Sequence, residues 1–419
     1  MLPGTDVPVW LVDMPRWFER NGGPYLSEKN QDWPDNAQRF AAFARAVVEL
    51  ACGRGGIAWS PDVVHCNDWQ TGLVPALLQY EPSPPATVFT VHNLAYQGLF
   101  PHDTFHELAL PPLLWGLDGL EFYGQLSFIK GGLVFGDRLT TVSPTYAREI
   151  LEPEQGGGLD GLLRHRSGRL AGILNGADYT LWNPATDVCL DHHFSSRSLA
   201  GKAMTKRQLQ RQIGLSQSNE PLLGLVGRLV EQKGLELLID VLPQLLRRSL
   251  QLVILGKGEA RFERVLQQAA ASHPRQLAFV SGYDERLAHR IEAGADMFLM
   301  PSLYEPCGLN QIYSLRYGTI PIVHGVGGLA DTVVDASLAN LKAGTATGLV
   351  FAEPTPVALI TAVDRALGLY GQPNVWAGMI ENAMAQDFSW TKSAQGYLDV
   401  YQSALADRAG SSRPVSVSA

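Results

Sequence analysis

Short apolar runs alternate with amphipathic helical stretches along almost the whole chain, and no other feature of the sequence constrains its fold as strongly. A strand buried on both faces reads as a continuous apolar run, and its parallel neighbour is reached through a crossover that is usually a helix. Repetition of this unit predicts parallel α/β layers. In the first half the strands are expected at Val7–Val12, Pro61–His65, Thr87–His92, Arg138–Val142 and Ala171–Leu174. Helical patterns lie between them at Ala37–Cys52, Gly72–Gln79, Gly119–Phe135 and Pro144–Leu151. A basic, amide-rich helix, Ser198–Ile213, leads into a second series of strands: Leu222–Val226, Gln251–Leu255, Leu277–Val280, Met297–Met300, Ile320–Val323 and Gly348–Phe351. Its helices are expected at Leu235–Arg247, Arg261–Ala271, Arg286–Ala293 and Asn310–Tyr317, followed by Pro354–Leu369, Val375–Met384 and Thr391–Ala406.

At 419 residues the chain exceeds the roughly 250–300 residues at which a single core stops growing, so two domains are expected. The periodicity lapses over Asn183–Leu199, which puts the boundary between residues 1–195 and 196–387. The closing helix, 388–406, is expected to cross back to the first domain, and the small polar tail 407–419 to be disordered. Two Rossmann-like domains in series imply a cleft between the carboxyl ends of two sheets, where open parallel sheets bind ligands. With 46% apolar and 18% charged residues the composition is that of a globular enzyme. A net charge of −8 without a long basic block argues against nucleic acid and against an anionic membrane surface. No apolar run approaches the roughly 18 residues of a membrane helix. The opening Met1–Gly4 carries no secretory pattern. The four cysteines lack CxxC spacing, so neither a disulfide scaffold nor a zinc site is expected. A cytoplasmic location fits these readings.

Polar clusters stand where several strands should end. "VVHCNDW" carries Asp68, "TVHNLAYQG" carries His92 and Asn93, and "GILNGAD" carries Asn175. "GLVGRLVEQKG" carries Arg228 and Lys233, and "LMPSLYEPCGL" carries Glu305. Singly, such residues are most often caps or satisfied loop groups. Arg228 and Lys233 flank a helix start and suit either a pyrophosphate or a solvated surface of mixed charge. Gly308 and Leu309 precede another helix, with Glu305 one turn upstream. A carboxylate there repels a phosphate, so Glu305 is better suited to hydroxyls or a developing cation beside one. Diphosphate on cations and backbone with hexose on a carboxylate describes a sugar nucleotide.

"SLYEPCGLNQIYSLRYGTIPIVHGVGGLADTV", "GLVGRLVEQKGLELL", "VHCNDWQTGLVPALL", "TVHNLAYQG" and "DRLTTVSPTYAREI" strongly resemble bacterial-type glycogen synthases and plastid starch synthases, from about Val7 to about Tyr401. These are GT-B glycosyltransferases that elongate α-1,4-glucan from ADP-glucose with retention of configuration. The resemblance implies an α/β chain of two Rossmann-like domains facing across a cleft. It implies that Arg228 and Lys233 hold the donor diphosphate and that Glu305 contacts the transferred glucose. It assigns Cys307, Gly308 and Leu309 to a turn whose N–H groups face phosphate and sugar oxygens, and Asp68 to sugar hydroxyls. It sets His92 beside the anomeric carbon, with Asn93 and Asn175 as polar neighbours, and Tyr283 under the adenine. The implied partners are a nucleotide sugar and a glycogen or α-1,4-glucan acceptor; neither metal nor cofactor is expected.

The sequence departs from the family pattern at its start. Family members open with a strand and a lysine-glycine-glycine-leucine loop before the segment matching Val7, so the first domain is expected to be incomplete, with an exposed sheet edge. Loss of that loop's donors predicts a drop in rate of about 10²–10³-fold. "IKGGL" (Ile129–Leu133) and "GGLAD" (Gly327–Asp331) look like the loop but lie in other contexts. Retaining relatives often carry a second glutamate where this chain has Tyr313. "ILGKGEAR" lacks the third glycine of a dinucleotide fingerprint. The rival to a synthase is a truncated relative that binds ADP-glucose or glucan without turnover.

Overall fold

The structure is a computed structural model that describes residues 1–2, 4–28 and 31–410. The chain divides into two compact units. The first comprises residues 1–141, 147–171 and those from Tyr397 onward; the second comprises 142–146 and 172–396.

The strands of the first unit are β1 (Val63–Asn67), β2 (Ala86–Val91), β3 (Leu99–Pro101), β4 (Glu121–Phe122), β5 (Gln125–Ser127), β6 (Arg138–Thr141) and β7 (Leu170–Gly172). Four of them form a sheet in the order β1-β2-β6-β7, with β1, β2 and β6 parallel. The β-branched run of β2 is buried at every position, as an interior strand requires. Strands β3, β5 and β4 make a small antiparallel sheet. The helix expected at Gly119–Phe135 is therefore only half present. Its first half is the β4–β5 hairpin, turned by Tyr123 and Gly124 at positive φ, and the helix is Phe128–Phe135. Lys130 of "IKGGL" sits inside that helix and donates to the carbonyls of Leu117 and Glu121, so it is a structural lysine.

No strand forms at Val7–Val12. Val7, Val9 and Leu11 stay largely exposed and make no ladder among the described residues, although the alternation of side chains reads as a strand. Alternation suffices only where a neighbouring edge accepts the hydrogen bonds.

The second unit holds β8 (Leu222–Leu229), β9 (Gln251–Gly258), β10 (Leu277–Ser281), β11 (Met297–Met300), β12 (Ile320–His324) and β13 (Leu349–Phe351). All are parallel, in the order β10-β9-β8-β11-β12-β13, the doubly wound arrangement. Alternate residues serve opposite faces. Leu252 and Ile254 of β9 pack with Leu238, Val241 and Leu245 of the helix Leu235–Leu245, whereas Val253 and Leu255 pack with Leu209, Leu287 and Ile291. In this order the winding reverses between β8 and β11, which pair through Met297–Leu223 and Phe298–Gly224. A crevice at the carboxyl ends of those two strands follows from the topology.

Two boundaries differ from expectation. Residues 172–195, expected with the first domain, pack within the second unit. There Asp187, from the stretch without periodicity, is hydrogen-bonded to His289 and Tyr317. The closing helix runs from Trp390 to Gly410, past its expected end. Asp407 pairs with Arg138 at 2.9 Å and Arg408 with Asp137 at 3.4 Å, so the first residues of the expected tail are helical and anchored. The remainder of that tail, 411–419, lies outside the described residues. Ala404 of the same helix packs against Ala86 and Val88 of the first sheet.

Candidate active site

In the first unit the expected residues lie at the carboxyl ends of two adjacent strands, β1 and β2. Asp68 takes up positive φ (58°), a conformation tolerated by Asp better than by most residues. Its N–H donates to Thr90 O, and its Oδ1 accepts the His92 N–H at 2.8 Å. Burial pushes the Asp68 carboxyl up, opposed by the backbone N–H groups of His92 and Asn93. His92 Nε2 lies 3.0 Å from Asn67 Oδ1, and Asn93 Oδ1 accepts the Ala95 N–H, closing a short turn. Asp68, His92 and Asn93 thus form one cluster, locked by the carboxylate of the first onto the backbone of the second. His65, on the same strand as Cys66 and Asn67, plays a different part. Its ring bridges Tyr401 OH (2.8 Å) and Thr90 Oγ1 (2.6 Å), and burial lowers its pKa to about 4.

In the second unit the switch point gathers the charged residues. Arg228 is the penultimate residue of β8, Lys233 follows in the next turn, and Ser302 and Glu305 follow β11. Lys233 Nζ donates to Glu305 Oε2 at 2.5 Å, and Ser302 Oγ donates to the same oxygen at 3.1 Å. The Glu305 side chain is 7% exposed and that of Lys233 25%. A hollow of about 60 Å³ between the two strand ends is lined by Gly227, Arg228, Lys233, Ser302 and Asn310. Asn310 is tied to β8 by its amide, which donates to Val226 O at 2.7 Å.

The turn Cys307–Leu309 leads into the helix Asn310–Arg316, with Gly308 at φ 68°. Gln311 holds this turn by donating to the carbonyls of Cys307 and Gly308. Burial pushes the Cys307 thiol up to about 12, with the Asn175 backbone N–H pulling the other way. Asn175 therefore adjoins Cys307, and its side-chain oxygen is buried without a hydrogen-bond partner. Tyr283 follows β10, two strands from β8, and is 84% exposed. The structure thus brings Arg228, Lys233, Glu305, Cys307, Gly308 and Asn175 together within the second unit and leaves Tyr283 at its rim.

The chain matches two family models in sequence: "Starch synthase catalytic domain" over residues 1–165 and "Glycosyl transferases group 1" over residues 206–383. It is 59% identical over 406 residues to "Glycogen synthase 1" of Methylococcus capsulatus, covering 97% of this chain and 82% of that one. It is 56% identical over 403 residues to "Glycogen synthase" of Thioalkalivibrio sulfidiphilus, covering 96% and 83%. The chain belongs to the glycogen synthase family. Its fold matches the catalytic domain of starch synthase IV from Arabidopsis thaliana, bound to ADP and acarbose, with a TM-score of 0.84 and 34% identity over 90% of this chain and 79% of that one. A sucrose-phosphate synthase from Thermosynechococcus elongatus, 19% identical, shares the GT-B fold at a TM-score of 0.59, covering 92% and 82%. As a member of this family the chain is a hexosyltransferase.

Several residues of this candidate site had no separate signal in the sequence. The "GGLAD" segment supplies backbone packing to the glutamate. Gly327, at φ 44°, approaches so closely that a Cβ there would lie 1.9 Å from Glu305 O, and the Gly328 N–H donates to that carbonyl. Ser302 and Asn310 were visible only as polar residues beside strand ends. Among the described residues, one group of possible metal ligands occurs, Asp187, Cys189 and His289, with ligand atoms within 4.8 Å of one another. The Asp187 oxygens already accept from the Cys189 N–H (2.8 Å) and Tyr317 OH (2.5 Å), with His289 Nδ1 at 2.7 Å, so the group is a hydrogen-bonded knot.

Proposed function

We propose that this chain transfers glucose from ADP-glucose to the non-reducing end of an α-1,4-glucan, with retention of configuration. The observation that carries the reading is the meeting of Arg228, Lys233 and Glu305 at the switch point of the second sheet. Rupture of the bond from anomeric carbon to phosphate leaves positive charge on the sugar and negative charge on ADP. Arg228, Lys233 and the N–H groups of the Gly308 turn are assigned to the leaving anion. Preorganised donors of this kind contribute roughly 3–4 kcal/mol each in comparable sites. Glu305, held by Lys233 and Ser302, is assigned to the glucosyl group.

The acceptor 4-hydroxyl attacks from the face that ADP leaves. A phosphate oxygen takes its proton, so one carbon–oxygen bond replaces another without a covalent enzyme intermediate. Asp68, His92 and Asn93 are assigned to sugar hydroxyls and the anomeric centre, Asn175 to a neighbouring polar contact and Tyr283 to the adenine. The resemblance in sequence supports these roles. No metal or cofactor enters the scheme. No helix among the described residues is long and apolar enough to cross a membrane. The cytoplasm is the proposed location.

Identity to the relatives runs through both halves of the chain, which favours turnover over binding alone. Incubation with ADP-[¹⁴C]glucose and glycogen tests the reading. Label incorporation that disappears in Glu305→Gln is expected. Saturable glycogen binding without incorporation would mean a binding module, and wild-type turnover by Glu305→Gln would remove the mechanism.

A further inference from the structure

The segment Asn175–Leu190 carries one side chain whose setting is unlike that of a surface loop. Trp182 is clamped between two rings. Its centroid lies 3.6 Å from that of His289 with planes 13° apart, and 3.8 Å from that of Tyr313 with planes 3° apart. Face-to-face overlap this close is not the arrangement that aromatic quadrupoles prefer, so the surrounding structure must impose it. Two anchors do so. The Trp182 N–H donates to Asp178 O at 2.9 Å, fixing the chain on one side. On the other, Asp187 is held by the Cys189 N–H, by His289 on the helix Glu285–Gly294, and by Tyr317 after the helix Asn310–Arg316. Burial raises the Asp187 carboxyl, but the hydrogen bonds from His289 and Tyr317 outweigh it and hold the group ionised, below its ordinary range.

Tyr313, the far side of the clamp, belongs to the helix that carries the donor-site turn. Its N–H donates to Leu309 O at 2.9 Å, directly behind Cys307 and Gly308. Burial pushes its phenol up to about 12, and the carboxyl groups of Glu292 and Asp178 add to the rise. The ring braced by Trp182 therefore stands on the first turn of the helix into which the Cys307–Leu309 turn leads.

We propose that Trp182, in the connecting segment, is a positioning residue for the nucleoside diphosphate: its stack on Tyr313 sets the helix Asn310–Arg316 and the Cys307–Leu309 turn in the geometry that binds ADP. This inference rests on the donor-site reading above. The clamp acts on donor affinity and leaves the glucan to other residues.

The test compares wild type, Trp182→Leu and Trp182→Phe by calorimetric titration with ADP, steady-state kinetics with ADP-glucose and glycogen, and thermal melts. Trp182→Leu removes both stacked faces and keeps apolar bulk. Its ADP Kd and donor KM are expected to rise about tenfold, the effect of losing about 1.4 kcal/mol, with the glycogen KM unchanged. Trp182→Phe restores a ring face and is expected to recover most of the affinity. Unchanged ADP Kd in Trp182→Leu, beside a wild type that binds, overturns the positioning role alone. So does equal loss in donor and glycogen KM together with a lowered Tm in both variants, since that describes a packing role only. Absence of ADP binding by the wild type overturns the donor-site reading and this inference with it.

Discussion

Lys233 and Glu305 form an unequal pair, and the inequality has a measurable consequence. The carboxylate is 7% exposed and the ammonium 25%, so each is left in a different state when its partner is removed. Lys233→Ala leaves a nearly buried negative charge with the Ser302 hydroxyl at 3.1 Å. Breaking a fully buried pair in this way costs about 3–5 kcal/mol. Water entering the partly open space of the lysine reduces this to about 2 kcal/mol. Glu305→Gln leaves the cation instead, with a path to solvent and an amide oxygen still able to accept, and costs about 1 kcal/mol. The double variant buries no ion, so adding Glu305→Gln to Lys233→Ala should restore about 1 kcal/mol rather than remove more. In a unit of this size 1 kcal/mol moves Tm by roughly 2–4 °C, so Lys233→Ala should melt roughly 4–8 °C below wild type. Differential scanning calorimetry of the four proteins, without donor, reads the cycle. A Lys233→Ala variant that melts at or above Glu305→Gln, or a double variant whose loss equals the sum of the singles, would refute the reasoning.

Gly327→Ala places a Cβ 1.9 Å from Glu305 O at φ 44°, so it should abolish transfer and lower Tm; a variant with normal turnover would show that the glutamate backbone has room to shift. Tyr283→Ala should weaken ADP binding by roughly tenfold or more, since base stacking on an aromatic ring contributes about 1–3 kcal/mol, while Tm stays put because the ring is exposed; titration with ADP checks both. His65 has its folded pKa lowered from 6.5 to about 4, so between those values the unfolded chain binds a proton that the folded one does not. Its stabilising share is complete above pH 6.5 and is lost as pH falls toward 4, about 3 kcal/mol in all. His65→Phe should flatten the acid limb of the stability profile, and an unchanged slope would assign that limb to other groups.

The parallel sheet of the second unit was legible because its strands begin in runs that are buried and mostly apolar. Met297–Met300 is the plainest case, with the observed bounds equal to the expected ones. The residues at the strand ends were legible for a related reason: a crevice forms where winding reverses, and chemistry collects there in residues adjacent to recognisable strands. What escaped was information carried by partners distant in sequence. Nothing near Asp187 indicates that its acceptors will meet His289 and Tyr317, more than a hundred residues away, so the connecting segment could not be assigned to the second unit. Val7–Val12 fails for the converse reason, having the alternation of a strand and no edge to pair with among the described residues. Gly119–Phe135 misled because an antiparallel hairpin and the start of an apolar helix carry similar residues, and only the positive φ of Tyr123 and Gly124 separates them. Local pattern thus locates a strand and its end, while side chains such as Trp182 and Asp187 determine which unit a connecting segment joins. A change in that segment should therefore be felt at the donor turn through the Tyr313 stack before it is felt in the sheet.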